Sequence, residues 1–180
     1  MVDWRDDLSW SAKVFVGLVW PILEVQIGGR LIIVETSTKI DMATALDVKA
    51  GIDAWHVLDG YGVRGIASRV QICPPIYKPY NTFTVRKSRD SGTETEYTKR
   101  LRAIRTNDGW LYPHLTVQAY VTSEQEGQLL SFAVAQTKSL IEHIESLGNH
   151  AVTKRTSNAE FYIVPFKDIA IFSYLQPLSF

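Results

Sequence analysis

Along the first stretch of the chain, apolar residues recur at three- and four-residue steps: Trp4, Leu8, Val14, Phe15, Leu18, Ile22 and Leu23. That is the period of an amphipathic helix over residues 4–27, with Asp3 as its N-cap and Pro21 to kink it. Gly28-Gly29 should end it, because glycine tolerates the left-handed geometry of a helix stop. Residues 30–35 (RLIIVE) then read as a buried strand and 40–46 as a short helix or turn. Two apolar segments, 51–58 (GIDAWHVL) and 63–72 (VRGIASRVQI), flank Asp59-Gly60-Tyr61-Gly62, and Asp-Gly between strand-like runs predicts a hairpin. Residues 82–87 (TFTVRK) alternate as a further strand.

Thr93 and Glu96 have capping-box spacing and open a helix through Arg105, with Tyr97, Leu101 and Ile104 on one side and the basic residues mostly on the other. Strands are predicted over 115–121 and 129–136. Thr137 caps a helix to Leu147 that Gly148 stops, and 160–166 is a last strand. No internal repeat or low-complexity tract interrupts this order. It predicts one α/β domain over residues 1–180, a mixed central β-sheet flanked by helices.

Composition agrees with a chain that folds: 180 residues, 46% of them hydrophobic and 21% charged. The single cysteine, Cys73, cannot build a disulfide framework or a thiolate zinc site. The longest apolar run, 14–27, contains Pro21, Glu24 and Gln26 and falls short of a clean membrane span, so no membrane partner is expected. The acidic start, Met-Val-Asp-Trp-Arg-Asp-Asp, is unlike a basic leader, and a cytoplasmic location is expected. Phosphate-loop (GxxxxGK[ST]), dinucleotide (GxGxxG) and nucleophile-elbow (GxSxG) motifs are all missing, which disfavours the chemistries they serve.

The formal charge is zero, but it is segregated. Residues 1–60 carry 5 basic and 9 acidic side chains, 61–105 carry 10 and 3, and 106–180 carry 4 and 7. Within the basic island, Arg86, Lys87, Arg89, Lys99, Arg100 and Arg102 fall on a predicted strand and the helix after it. Two elements converging on one surface give a wide cationic patch, the sequence-independent attraction on which nucleic-acid binding rests. The alternative is a solvated helix face balanced by Glu94 and Glu96.

Asp53 stands inside an otherwise apolar strand, where a carboxylate has to be paired, hydrogen-bonded or metal-bound. Arg64 or Arg69 across the hairpin are candidate partners. Alternatively, Gly51 allows a close backbone approach, and Arg69 and Gln71 share one face of the next strand because side chains alternate with period two. Such a set can hold a hard cation beside a phosphate.

Gly51-Ile52-Asp53 and the polar pair on the partner strand resemble the PD-(D/E)xK, or restriction-endonuclease-like, nuclease superfamily over about residues 18–106. The resemblance implies a restriction-endonuclease-like fold and a divalent-metal-dependent nuclease acting on DNA, with RNA as the alternative substrate. Asp53 would bind Mg2+ or Mn2+, Glu35 or Asp47 would complete the metal shell, and Glu24 on the leading helix matches the acid the family often places there. The family has an acid or glutamine two residues before a lysine. This chain has Arg69-Val70-Gln71 instead, so Arg69 would replace the lysine and Gln71 would orient water or metal. Arginine is a poor proton acceptor, which leaves metal-bound hydroxide as the nucleophile. By the same analogy a homodimer is expected, so that two sites address two strands. The rival functions are an inactive nucleic-acid-binding module of the same fold and a protein-interaction or inhibitor domain.

Overall fold

Pro21 has no N–H to donate and its ring crowds the carbonyl four residues back, so the first helix cannot run as a regular α-helix through it. In the computed structural model of the chain, helix α1 (Trp10–Ile27) widens into a π turn over Phe15–Val19, and the Trp20 N–H reaches back to the Phe15 carbonyl. The structure describes residues 10–34, 51–60, 62–73, 80–106, 112–123 and 127–175. The expected N-cap at Asp3 and the element at 40–46 lie outside those residues. By length and composition α1 could cross a membrane, yet its inner stripe of Phe15, Val19, Trp20 and Leu23 is buried against a sheet. At its end Gly28 has a φ of 64° and its N–H returns to the Glu24 carbonyl, the predicted glycine stop.

Strands follow at β1 (Arg30–Ile33), β2 (Ala54–Leu58), β3 (Gly62–Ile72) and β4 (Thr82–Arg89). Helix α2 (Glu96–Thr106), strands β5 (Leu115–Val121) and β6 (Leu129–Gln136), and helix α3 (Thr137–Leu147) come next. The chain then adds β7 (Thr153–Arg155), β8 (Ala159–Pro165), a one-turn α4 (Phe166–Ile169) and β9 (Phe172–Leu175). The β2–β3 hairpin closes with Leu58 opposite Gly62, as Asp59-Gly60 predicts.

A mixed sheet is present, but the expectation of one sheet needs correction. Six strands form a sheet in the order β1-β2-β3-β5-β6-β9, with β3 and β5 parallel and the other neighbours antiparallel. Strand β4 joins β8 and β7 in a second, antiparallel sheet. The reason is chemical. The place beside β3 is buried on both faces, and every residue of β5 is buried; β4, with Arg86, Lys87 and Arg89, would leave charges there unpaired.

The large sheet carries a different layer on each face. Ala54, Ile66, Val117, Ala119 and Phe132 pack under α1, while Tyr120, Ala133 and Ala135 meet α3 and the small sheet through Leu140, Ile141, Phe83 and Val85. His56 belongs to the first layer. It is fully buried, its ring is edge-on to Trp20, and Nε2 lies 2.8 Å from the Gly28 carbonyl, so it is a structural histidine. That contact leaves no room at Gly29, where an added Cβ would stand 2.6 Å from both His56 Nε2 and the Val57 carbonyl, at a φ of 82°. Gly29→Ala is therefore expected to destabilise the domain by about 3 kcal/mol in chemical denaturation, whereas the open position Gly17→Ala should cost little or nothing.

Candidate functional site

Side chains of β5 alternate between the two layers. Val117 and Ala119 face α1, and Thr116 and Gln118 face the other way, as do Arg69 and Gln71 on β3. Those polar residues floor a cleft of about 470 Å³ whose walls come from β4, α2 and β8. Among the described residues five cations line it (Arg69, Arg86, Arg89, Lys99 and Arg100), with three carboxylates, Asp53, Glu94 and Glu96.

Glu96 holds the walls together. It opens α2, where its carboxylate meets Arg100 at 2.9 Å, Arg69 at 3.1 Å and the Arg86 backbone N–H at 3.4 Å. Burial acts to raise its pKa, but the Arg100 and Arg69 guanidiniums, with the Arg86 N–H and charge, hold it down to about 2 from the usual 4.5. The sequence assigns Glu96 a capping box with Thr93, and here the structure differs. Thr95 and Thr98 cap the helix reciprocally, since the Thr95 N–H donates to Thr98 Oγ1 at 2.9 Å. Glu96 is thereby free for the arginines.

A second set of hydrogen bonds fixes the amides on the floor. The Thr84 N–H can only donate, so the Gln118 atom it meets at 3.3 Å is Oε1. Gln118 Nε2 then donates to Gln71 Oε1 at 3.1 Å. With its oxygen engaged in this way, Gln71 offers the cleft an NH2 donor. That geometry suits an anion better than the metal or water contact expected of Gln71.

Asp53 precedes β2 and remains in the ladder: its N–H donates to the Ile66 carbonyl at 2.9 Å and its carbonyl accepts from Val34 at 3.0 Å. Its carboxylate accepts the Ser68 N–H at 2.6 Å, just past the last β2–β3 pair. Of the arginines expected to pair with it across the hairpin, Arg69 is engaged elsewhere. Arg69 turns instead to Glu96 and to Thr84, whose carbonyl and hydroxyl lie 3.3 Å away.

Of the residues expected to grip phosphate, Arg86, Arg89, Lys99 and Arg100 reach the cleft and Lys87 and Arg102 do not. Lys87 pairs with Glu160 at 3.1 Å and lies over Tyr162, and Arg102 pairs with Glu94. Arg100 is a structural cation, only 4% exposed and spent on Glu96 and Thr116. Glu24 sits on the exposed side of α1 and does not line the cleft. Glu35 and Asp47 lie outside the described residues. Among the described residues no three His, Cys, Asp or Glu side chains cluster as a metal site. Glu96 is saturated by arginine, so Asp53 by itself does not make a Mg2+ shell.

Phe161, which the sequence did not single out, also lines the cleft. The Arg69 and Arg86 guanidiniums each lie 5.4 Å from its ring centroid. Burial and the nearby Arg69 and Arg89 charges lower the Arg86 pKa, with Glu96 offsetting in part. Neither Arg86 nor Arg89 forms an ion pair among the described residues, and Arg86 Nε is buried with no hydrogen-bond partner. No protein-family model, curated protein or solved structure matches this chain.

The Glu96 arrangement predicts acid sensitivity. Its folded pKa lies below the unfolded value, so its stabilisation is complete above pH 4.5 and is lost as pH falls toward about 2, a change of about 3 kcal/mol. Denaturation measured across that window should show this loss in the native protein. Glu96→Gln should abolish most of the dependence and cost about 3 kcal/mol at neutral pH, because Arg100 stays buried without its counter-charge.

Proposed function

We propose that this domain binds nucleic acid, taking the sugar-phosphate backbone of a single strand into the cleft, with DNA as the first candidate and RNA as the alternative. The observation that carries this reading is the crowding of three guanidiniums, Arg69, Arg86 and Arg89, along the cleft, of which Glu96 pairs with Arg69 and offsets Arg86 only in part. Like charges held that close repel, and an arriving phosphate relieves the repulsion. Gln71 NH2 adds a neutral donor on the floor. The cleft, of about 470 Å³, is of the size in which proteins hold ligands.

Hydrolysis of the bound phosphodiester is the second reading, and a specific placement favours it. Asp53 at the start of β2 shares the cleft with Arg69 and Gln71 of the paired strand, behind a leading helix. This supports a restriction-endonuclease-like fold. It requires Mg2+ or Mn2+ held by Asp53 with further ligands, for which Glu35 and Asp47 remain the candidates. A divalent ion bound there would supply Lewis acidity to the phosphate.

Fluorescence anisotropy with labelled single-stranded DNA tests the binding. Arg86→Ala is expected to weaken affinity several-fold and reduce the salt slope by about one. Lys87→Ala, on the far face, should change both little, as should Lys138→Ala on α3. Binding that is indifferent to Arg86 and to salt would overturn the proposal.

For hydrolysis, incubation of the same DNA with Mg2+ or Mn2+ should give cleavage that Asp53→Asn abolishes while binding persists. Binding by the native protein with no metal-dependent cleavage leaves a binding module.

A further inference from the structure

Period two puts Arg86 and Arg89 on opposite faces of β4, yet both line the cleft. The cause is a β-bulge. Arg86 pairs with Phe161, Ser88 with Glu160 and Arg89 with Ala159, so Lys87 is the extra residue and the alternation resets across it. Arg86 and Arg89 thereby come to one side, on a ridge between the cleft and a second concavity of about 330 Å³. Asp90, Ser91, Asn158 and Ala159 complete that second concavity.

Building on the nucleic-acid reading, we infer that the bound strand does not end in the cleft but crosses the Arg86–Arg89 ridge and continues through the second concavity past Asn158. The electrostatics favour that course. Among the described residues Asp90 is the acid of the concavity, and Arg155 meets it at 2.8 Å, so the two arginines leave an excess of positive charge. The rim is pre-set. Thr156 donates through its N–H and hydroxyl to the Ala159 carbonyl at 2.8 and 3.0 Å, and the Asp90 N–H donates to the Asn158 carbonyl at 3.1 Å, which holds the β7–β8 turn against the end of β4. Asn158 is exposed on this turn and lines the concavity, so its amide offers a neutral donor to a phosphate or a base edge. Arginines on a ridge between two hollows form a path for a chain of repeated charges, since both hollows draw on the same two cations.

A length series separates this inference from the reading beneath it. Labelled oligo(dT) of about 4 and about 12 nucleotides should bind the native protein with affinity rising with length. Asn158→Asp adds one negative charge to the second concavity without touching the cleft, and an exposed turn position tolerates aspartate. It should weaken the long oligonucleotide about fivefold and the short one clearly less, because Arg86 and Arg89 border both hollows. Ser91→Asp should act in the same direction, and thermal denaturation of both variants should match the native protein. Equal effects on both lengths, or none on either, would overturn the path while leaving cleft binding intact. Failure of the native protein to bind either oligonucleotide would overturn the nucleic-acid reading and the path together.

Discussion

One carboxylate sets the geometry on which the cleft depends. Glu96 joins the first turn of α2 to β3 through Arg69, to β4 through the Arg86 N–H, and to its own helix through Arg100. Each of these elements belongs to a different part of the fold, and no apolar contact could specify their relative placement to hydrogen-bond tolerance. Burying charge is costly, and the cost is offset here because one anion serves two guanidiniums and a backbone donor at once. What is left over defines the site. Among the described residues Arg86 and Arg89 receive no carboxylate of their own, so the cluster carries a surplus of positive charge in a partly desolvated hollow.

The two layers of the large sheet divide the labour. On the α1 side the sheet is apolar, and the buried His56 is held by a backbone carbonyl and a tryptophan ring. On the other side, β3 and β5 present glutamine, threonine and arginine toward the small sheet, and the gap between the two sheets is the cleft. The small sheet separates because a strand bearing three cations cannot take a position buried on both faces. That separation makes a concavity where a single continuous sheet would have presented a flat surface.

Much of the fold was legible from local pattern. The glycine stop of α1, the Asp-Gly hairpin, the apolar strands β5 and β6 and the helix ended by Gly148 all follow from backbone conformations and periodicities that neighbouring residues impose on each other. Short elements such as β7, β9 and α4 were not, since three or four residues hold too little periodicity to signal anything. The candidate site was legible as a set of residue types: Asp53, Arg69, Gln71 and a basic island were singled out, and the cleft gathers the first three with Arg86, Arg89, Lys99 and Arg100. Which cations face the cleft was not, because a bulge at Lys87 inverts the alternation that a sequence reader assumes.

By itself, then, the sequence determined the layered α/β character, the helix stops, the hairpin and the concentration of positive charge in the middle third. These depend on interactions within a few residues of one another, or on composition alone. Only the tertiary structure decided that β5 rather than β4 lies beside β3, that Glu96 is a hub and not a helix cap, and that Phe161 underlies two arginines. It also decided that Arg100 is buried as a structural cation while Arg86 and Arg89 stand together. Those outcomes depend on which distant segments share a surface. The competition among burial, charge pairing and strand register settles that over the whole chain at once.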